Sequence, residues 1–319
     1  MESFIYSLNA TLPLFLLITL GYILQYTGNI PREFSVMCDK FVFNVTLPVT
    51  LFMSMYQVDL RSTGLNVNFT FYCFITTLIS ILGIWIYAKK FLCENNLAGE
   101  FVQVGYRSSV AILSSAIIEN LYGTSSLVPF MVIGSVPLYN FFAVLILLLE
   151  APNSKNLNKR DKIFSAFIKI LTNPIIDGLV LGGLFSYFKI YLPVAISNTL
   201  RQLSRITNPL SLVAIGIGFQ GLRALNLKLI KITSQASLIK LVILPLLFVP
   251  FAYALGFRGE ELLSILVMFG GPTTFGCYIM ARNMGHEGLL TSSVVVLTTL
   301  ISPVTLTLEI FGLKYFNLI

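Results

Sequence analysis

Apolar residues run through this chain in blocks too long for the helices of a soluble core. At about 20 residues per crossing of a bilayer, ten blocks qualify: residues 5–26, 35–56, 67–89, 101–122, 126–149, 163–188, 193–222, 233–256, 259–283 and 288–312. The widest polar interruption, Glu150 to Lys162, is too short for a separate folded unit. The pattern predicts an all-α polytopic membrane protein with ten transmembrane helices. The seventh block exceeds a straight crossing, so its start, Pro193 to Arg205, is expected in the outer interface. The first block follows Glu2 rather than a basic region and lacks a small-x-small motif, so it reads as a retained helix and not a signal peptide.

Landmarks recur along this pattern at a nearly constant offset. Pro13 and Pro174, Pro48 and Pro209, and Lys40 and Arg201 are each 161 residues apart. Gly123 and Gly285 are separated by 162, and Pro137 and Pro303 by 166. Such spacing predicts an internal repeat of five spans. Five is odd, so the second copy enters the membrane from the opposite side, the inverted arrangement of many secondary transporters. The expected division is a first five-helix repeat over 1–150, a short basic cytoplasmic linker over 151–162 and a second, inverted repeat over 163–319.

Composition agrees with a membrane protein: 56% hydrophobic and 11% charged residues, against about 25% charged in a soluble domain. The net charge of +7 reads as a topological signal and not as a nucleic-acid footprint. With the N-terminus outside, fourteen basic residues fall on the cytoplasmic side and six on the outer side, leaving Arg107 within the membrane. The positive-inside rule then sets both termini outside a cell membrane. The four cysteines, Cys38, Cys73, Cys93 and Cys277, lack metal-like spacing. The sequons at Asn9, Asn44 and Asn68 lie in or at the edges of spans and read as chance matches. No nucleotide loop, metal cluster or nucleophile–base pair stands out, so neither an enzyme nor a bound cofactor is expected. Coupling to H+ or Na+ stays open.

Two blocks carry the chemistry. The fourth, GYRSSVAILSSAIIENLYG (Gly105–Gly123), holds Arg107, Ser108, Ser109, Ser114, Ser115 and Glu119. The ninth is interrupted by Gly270-Gly271-Pro272, followed by Thr273 and Thr274. Matching Gly123 to Gly285 sets Pro272 opposite Val110, with Arg107 roughly 4–5 Å to the cytoplasmic side of the break. Proline cannot donate a backbone hydrogen bond, and in lipid the freed groups need neighbouring hydroxyls or helices. Half-helix N-termini together with a fixed cation favour an anionic ligand. The competing account has Arg107 snorkelling to the cytoplasmic surface.

Asn140 either lines this site or braces helices. Asp177, after Asn173-Pro174, is the deepest acid; a buried carboxylate holds its proton more readily, which suits proton coupling, and the alternative is an acid merely tolerated by a local hydrogen bond. Glu119 and Glu309 are expected at the outer interface, Asp39 in a structural role beside Lys40, Lys240 snorkelling at an inner end and His286 in a loop.

Together these segments resemble the auxin efflux carrier family, in its bacterial malate permease-like branch of transporters. The resemblance spans essentially the whole chain through FNVTLPVTLF (Phe43–Phe52), Tyr106–Gly123, PLYNFFAVLIL (Pro137–Leu147), LTNPIIDGLVLGGL, ITNPLSLVAIGIG and GGPTTFGCYIMARNMG. It implies a fold like that of sodium/proton antiporters and bile acid symporters, with helices four and nine broken and crossing near the midplane. It implies a scaffold of helices one, two, six and seven, and elevator-like transport of small organic anions such as malate or auxin-like acids. Ser109 and Ser114 stand where many bacterial relatives have asparagine and glycine. A gated channel or membrane-embedded receptor on the same fold is the alternative. The expected partners are the bilayer, the anion and a second copy in a homodimer through helices two and seven, without nucleic acid.

Overall fold

The computed structural model describes residues 2–58, 66–92, 97–110, 118, 121–122, 127–151, 172–218 and 227–319. Among these, all regular structure is helical, with no strand. Ser114, Ser115, Glu119, Gly123, Cys93 and nearly all of the basic linker lie outside the described residues. Helix α1 (Glu2–Tyr26) is followed by α2 (Glu33–Phe41), a π-turn (Val42–Thr46) and α3 (Leu47–Tyr56), which form one continuous span. Then come α4 (Val67–Phe91), α5 (Ala98–Tyr106), α6 (Val128–Leu149), α7 (Pro174–Tyr187) and α8 (Val194–Gly218). A second composite span joins α9 (Leu227–Leu238), a π-turn (Ile239–Ile243) and α10 (Leu244–Ala254). The chain closes with α11 (Gly259–Gly270), α12 (Gly276–Asn283) and α13 (Leu289–Tyr315).

Five of these units are long and apolar enough to cross a membrane: Glu33–Tyr56, Val67–Phe91, Val128–Leu149, Leu227–Ala254 and Leu289–Tyr315. Leu16–Tyr26 and Pro174–Tyr187 are shorter apolar helices. Helix α8 is continuous, and its first half exposes Arg201, Gln202 and Arg205. The two π-turns share one cause. Each stands just ahead of a Leu-Pro pair, Leu47-Pro48 or Leu244-Pro245. The proline ring has no N–H to donate and crowds the preceding turn, and a wider turn absorbs the displacement without ending the helix.

Packing is tightest where glycines let backbones meet. The closest helix pairs are α1 with α8 and α3 with α7. A methyl group at Gly21 would overlap the carbonyl of Val213, and one at Gly182 would overlap that of Phe52. Gly21 and Gly182 are 161 residues apart, and so are Phe52 and Val213. The two contacts therefore exchange under the offset seen in the sequence. Gly216 and Gly178 seal the same pairs against the backbones of Ile18 and Pro48. Small residues of this kind are what allow helices to associate where lipid removes the hydrophobic drive.

Around this frame lie two apolar cores. One joins α4, α5, α6, α9–α10, α11 and α13 through residues such as Phe69, Phe101, Met131, Phe269 and Leu306. The other joins α1, α2–α3, α7, α8 and α12 through Ile18, Leu47, Ile175, Ile215 and Met280.

Several polar residues sit where the sequence did not place them. Lys240 is fully buried in the second π-turn and does not snorkel. Glu309 is half-buried and packs against the end of α11, with Oε2 enclosed. His286 does lie in a loop, between α12 and α13, but is buried there, its Nε2 lying 2.9 Å from the carbonyl of Leu147. Asp177, in the first turn of α7, is exposed; Ile175, Gly178 and Gly182 take the inward face of that helix.

Candidate functional site

Two interrupted helices meet at the centre. Helix α5 ends at Tyr106, and Arg107 is already extended (φ −74°, ψ 134°). Helix α11 ends at Gly270, Gly271 is likewise extended (φ −66°, ψ 154°), and α12 restarts at Gly276. The extended stretches cross. Ser109 N donates to the Pro272 carbonyl at 3.2 Å, and a Cβ on Gly271 would come within 2.7 Å of Ser108 Oγ. The contact thus falls at Ser108–Ser109 against Gly271–Pro272, and Arg107 stands at the break itself, not three residues to its cytoplasmic side. Neither glycine nor proline interrupts 106–109, so sequence matching had no marker there. The break in α5 is visible only against its partner.

The freed backbone groups are satisfied by side chains. Thr273 Oγ1 donates to Val104 O at 2.9 Å, and Thr273 N donates to Thr298 Oγ1 on α13 at 3.1 Å. Gln103 Nε2 donates to Cys277 O at 3.0 Å, tying α5 to α12. Lys240 Nζ donates to the Phe269 carbonyl near the end of α11.

Arg107 is 4% exposed. Its Nη2 donates to Asn140 Oδ1 at 3.0 Å, and Nη1 contacts Met280 Sδ. Asn140 is held in turn through Nδ2 to Val136 O. A guanidinium presents five N–H donors, and Nε has no partner. Among the described residues no carboxylate pairs with Arg107. The guanidinium points inward, which removes snorkelling as its role. Nη2 lies 3.9 Å from where a Cβ on Gly276 would stand, beside the first turn of α12. In that turn Cys277 N and Tyr278 N donate to Thr274 O and Phe275 O at 3.1 and 3.0 Å, and the positive end of the α12 dipole lies on the same side as the cation.

Of the residues expected at the site, Arg107, Ser108, Ser109, Asn140, Pro272, Thr273 and Thr274 converge here. Ser109 and Thr274 keep partial exposure, whereas Ser108, Asn140, Pro272 and Thr273 are buried. Asp177 stands apart from these contacts, and Ser114 lies outside the described residues.

Gln103, Met280 and Thr298 were missed because their types are unremarkable in a membrane helix. Glu100 was missed as well. It is 1% exposed in the first turn of α5, where Oε1 accepts from Gly288 N at 3.0 Å and Oε2 from Thr291 N and Thr291 Oγ1 at 3.0 and 2.8 Å. It caps the N-terminus of α13 across 188 residues of chain. At the C-terminal end of α12, Asn283 Nδ2 donates to Asp39 O at 3.1 Å and Arg282 Nε lies 3.8 Å from Asp39 Oδ2.

An all-helical membrane fold with two interrupted helices meeting around a buried cation is the architecture of a membrane transport protein. The chain belongs to the membrane transport protein family, which it matches over residues 6–310; this is the auxin efflux carrier family that its motifs resemble. It is 23% identical over 312 residues to an "uncharacterized transporter" of Methanothermobacter thermautotrophicus (strain Delta H), covering 96% of this chain and 98% of that protein. It is 21% identical over 278 residues to the "uncharacterized transporter YfdV" of Escherichia coli K12, covering 85% and 86%.

Proposed function

We propose that the protein is a secondary carrier of small organic anions, carboxylates such as malate or auxin-like acids, bound where α5 crosses α11–α12. The observation that carries this is Arg107, a buried guanidinium with an unused donor, beside a helix N-terminus and without a carboxylate partner among the described residues. Leaving a charge buried and unpaired costs several kcal/mol. A carboxylate ligand would supply the missing partner, with Asn140 orienting the guanidinium and Ser109 and Thr274 offering hydroxyls.

The exchange of the Gly21–Val213 and Gly182–Phe52 contacts under the 161-residue offset supports two inverted five-helix repeats and ten helices in all. Helices α1, α2–α3, α7 and α8 then form a scaffold, and the crossing helices move against it in an elevator-type cycle. Both termini lie outside the cell membrane, and the assembly is a homodimer through the second and seventh spans.

The test has two stages. Purified protein is screened by thermal shift against mono- and dicarboxylates, with and without sodium and across pH. The stabilising compound is then followed in proteoliposomes. Saturable uptake with counterflow is the expected result, whereas sustained single-channel current, or no stabilisation by any carboxylate, overturns an anion carrier.

A further inference from the structure

A second buried cation lies behind the crossing. Lys240 is 0% exposed, and its Nζ donates to the Phe269 carbonyl, one residue before the end of α11. Glu309, on α13, lies against the same helix end, and its charge acts on the ammonium. Glu309 Oε2 is enclosed with no hydrogen-bond donor. It approaches the helix end closely because residue 270 is glycine: a Cβ there would stand 2.7 Å from Oε2. On α12 the titratable group facing Lys240 is Cys277. Glu309 also borders a cleft of about 470 Å³ between α10, α11 and α13, lined by Pro245, Val249, Tyr253, Leu266 and Leu313. Arg258 sits over the Tyr253 ring at 3.7 Å.

A half-helix that ends inside a membrane directs unpaired carbonyls and the negative end of its dipole at the interior. In carriers built on broken helices, such ends coordinate the coupling cation. Here one carbonyl, one carboxylate whose enclosed Oε2 accepts no hydrogen bond and a glycine that keeps the space open form such an end, and an ammonium on a four-carbon stem occupies it. Structural capping alone would account for the Lys240–Phe269 bond. It leaves unexplained why a carboxylate is held against the same helix end with an oxygen unused.

We propose that the Phe269 carbonyl, Gly270 and Glu309 form a monovalent-cation site of the carrier, and that Lys240 fills it with a tethered ammonium. The wild-type protein then needs no free sodium at this position. The inference rests on α11–α12 being the broken helix of a carrier, but its test requires no transported anion. Lys240→Ala deletes a fragment equal to n-propylammonium and leaves the carbonyl and carboxylate in place.

Full-length protein in detergent is melted in sodium chloride, n-propylammonium chloride or choline chloride at equal ionic strength. Lys240→Ala is expected to show a saturable rise in Tm of several degrees with n-propylammonium over choline, and a smaller one with sodium. Wild type should melt alike in all three salts, and Lys240→Ala with Glu309→Gln should lose the response. If Lys240→Ala folds only when n-propylammonium is present throughout purification, that selective recovery supports the site equally. The proposal is overturned by any of four results: no cation selectivity in Lys240→Ala, the same response in wild type, a response that survives Glu309→Gln, or recovery in no salt. Because no carboxylate is present, a negative result leaves the anion site at Arg107 standing, and a failed carboxylate screen leaves this site standing.

Discussion

Replacing Arg107 by alanine separates a ligand-binding cation from a structural brace. A carboxylate about 4 Å from a guanidinium gains about 4 kcal/mol at an effective dielectric constant of about 20. Loss of about 2–4 kcal/mol corresponds to binding weakened by about 30-fold to about 1,000-fold. Arg107→Lys keeps the charge but loses the planar fork that reaches Asn140 and a ligand together, so about tenfold weakening is expected. Without ligand the expectation differs in sign. Arg107 donates to Asn140 but has no acidic partner among the described residues, and Asn140 retains its bond to Val136 O. Removing a desolvated, unpaired charge relieves more than one such bond supplies, so the Tm of ligand-free Arg107→Ala should hold or rise. Titration of purified wild type and both variants with the carboxylate found by screening, followed by thermal shift, reads both quantities. A Kd for Arg107→Ala within threefold of wild type, together with a fall in Tm, would refute the argument and make Arg107 a brace.

Two further expectations follow from the packing. Gly21→Ala and Gly182→Ala each drive a methyl group into a backbone carbonyl, of Val213 and Phe52 respectively, and overpacking of this kind costs about 1–3 kcal/mol. If the two contacts are images of one another, their Tm losses should match closely; a large loss in one and none in the other would count against the inverted repeat. Asp177 is exposed and takes no part in the crossing hydrogen bonds, so Asp177→Asn should leave the pH dependence of uptake unchanged. Loss of that dependence would restore Asp177 as the proton-coupling acid.

Much of the fold could be read from the residues because a bilayer imposes simple rules. Long apolar blocks become helices since no other open structure satisfies the backbone in lipid. Gly270-Gly271-Pro272 announced a break because each of those residues weakens a helix by itself. The contacts Gly21–Val213 and Gly182–Phe52 exchange under the same offset of 161 that separates Pro13 from Pro174, although no landmark pair named them in advance. Arg107 was noticeable simply as a full charge in an apolar block.

What the residues alone left open was decided by neighbours distant in the chain. The break at Arg107 has no local signature; it exists because Ser109 pairs with Pro272 and Thr273 with Val104. Sequence distance from a span end suggested that Lys240 would snorkel, left snorkelling as the alternative to anion binding for Arg107, and set Glu309 near an outer end. A side chain's depth, however, depends on the helix that covers it. Lys240 turns inward because a half-helix ends beside it with a free carbonyl, and Glu309 follows because Gly270 leaves room. Asp177, deep by residue count, faces outward because Gly178 and Gly182 commit the other side of α7 to α3. The sequence alone determined that this is a helical membrane protein with a helix broken at Gly270-Gly271-Pro272 and a charge, Arg107, within an apolar block. Tertiary contact decided where the second break falls, which charges are buried and which of them lack a partner, because burial and pairing belong to the packed assembly and not to any one helix.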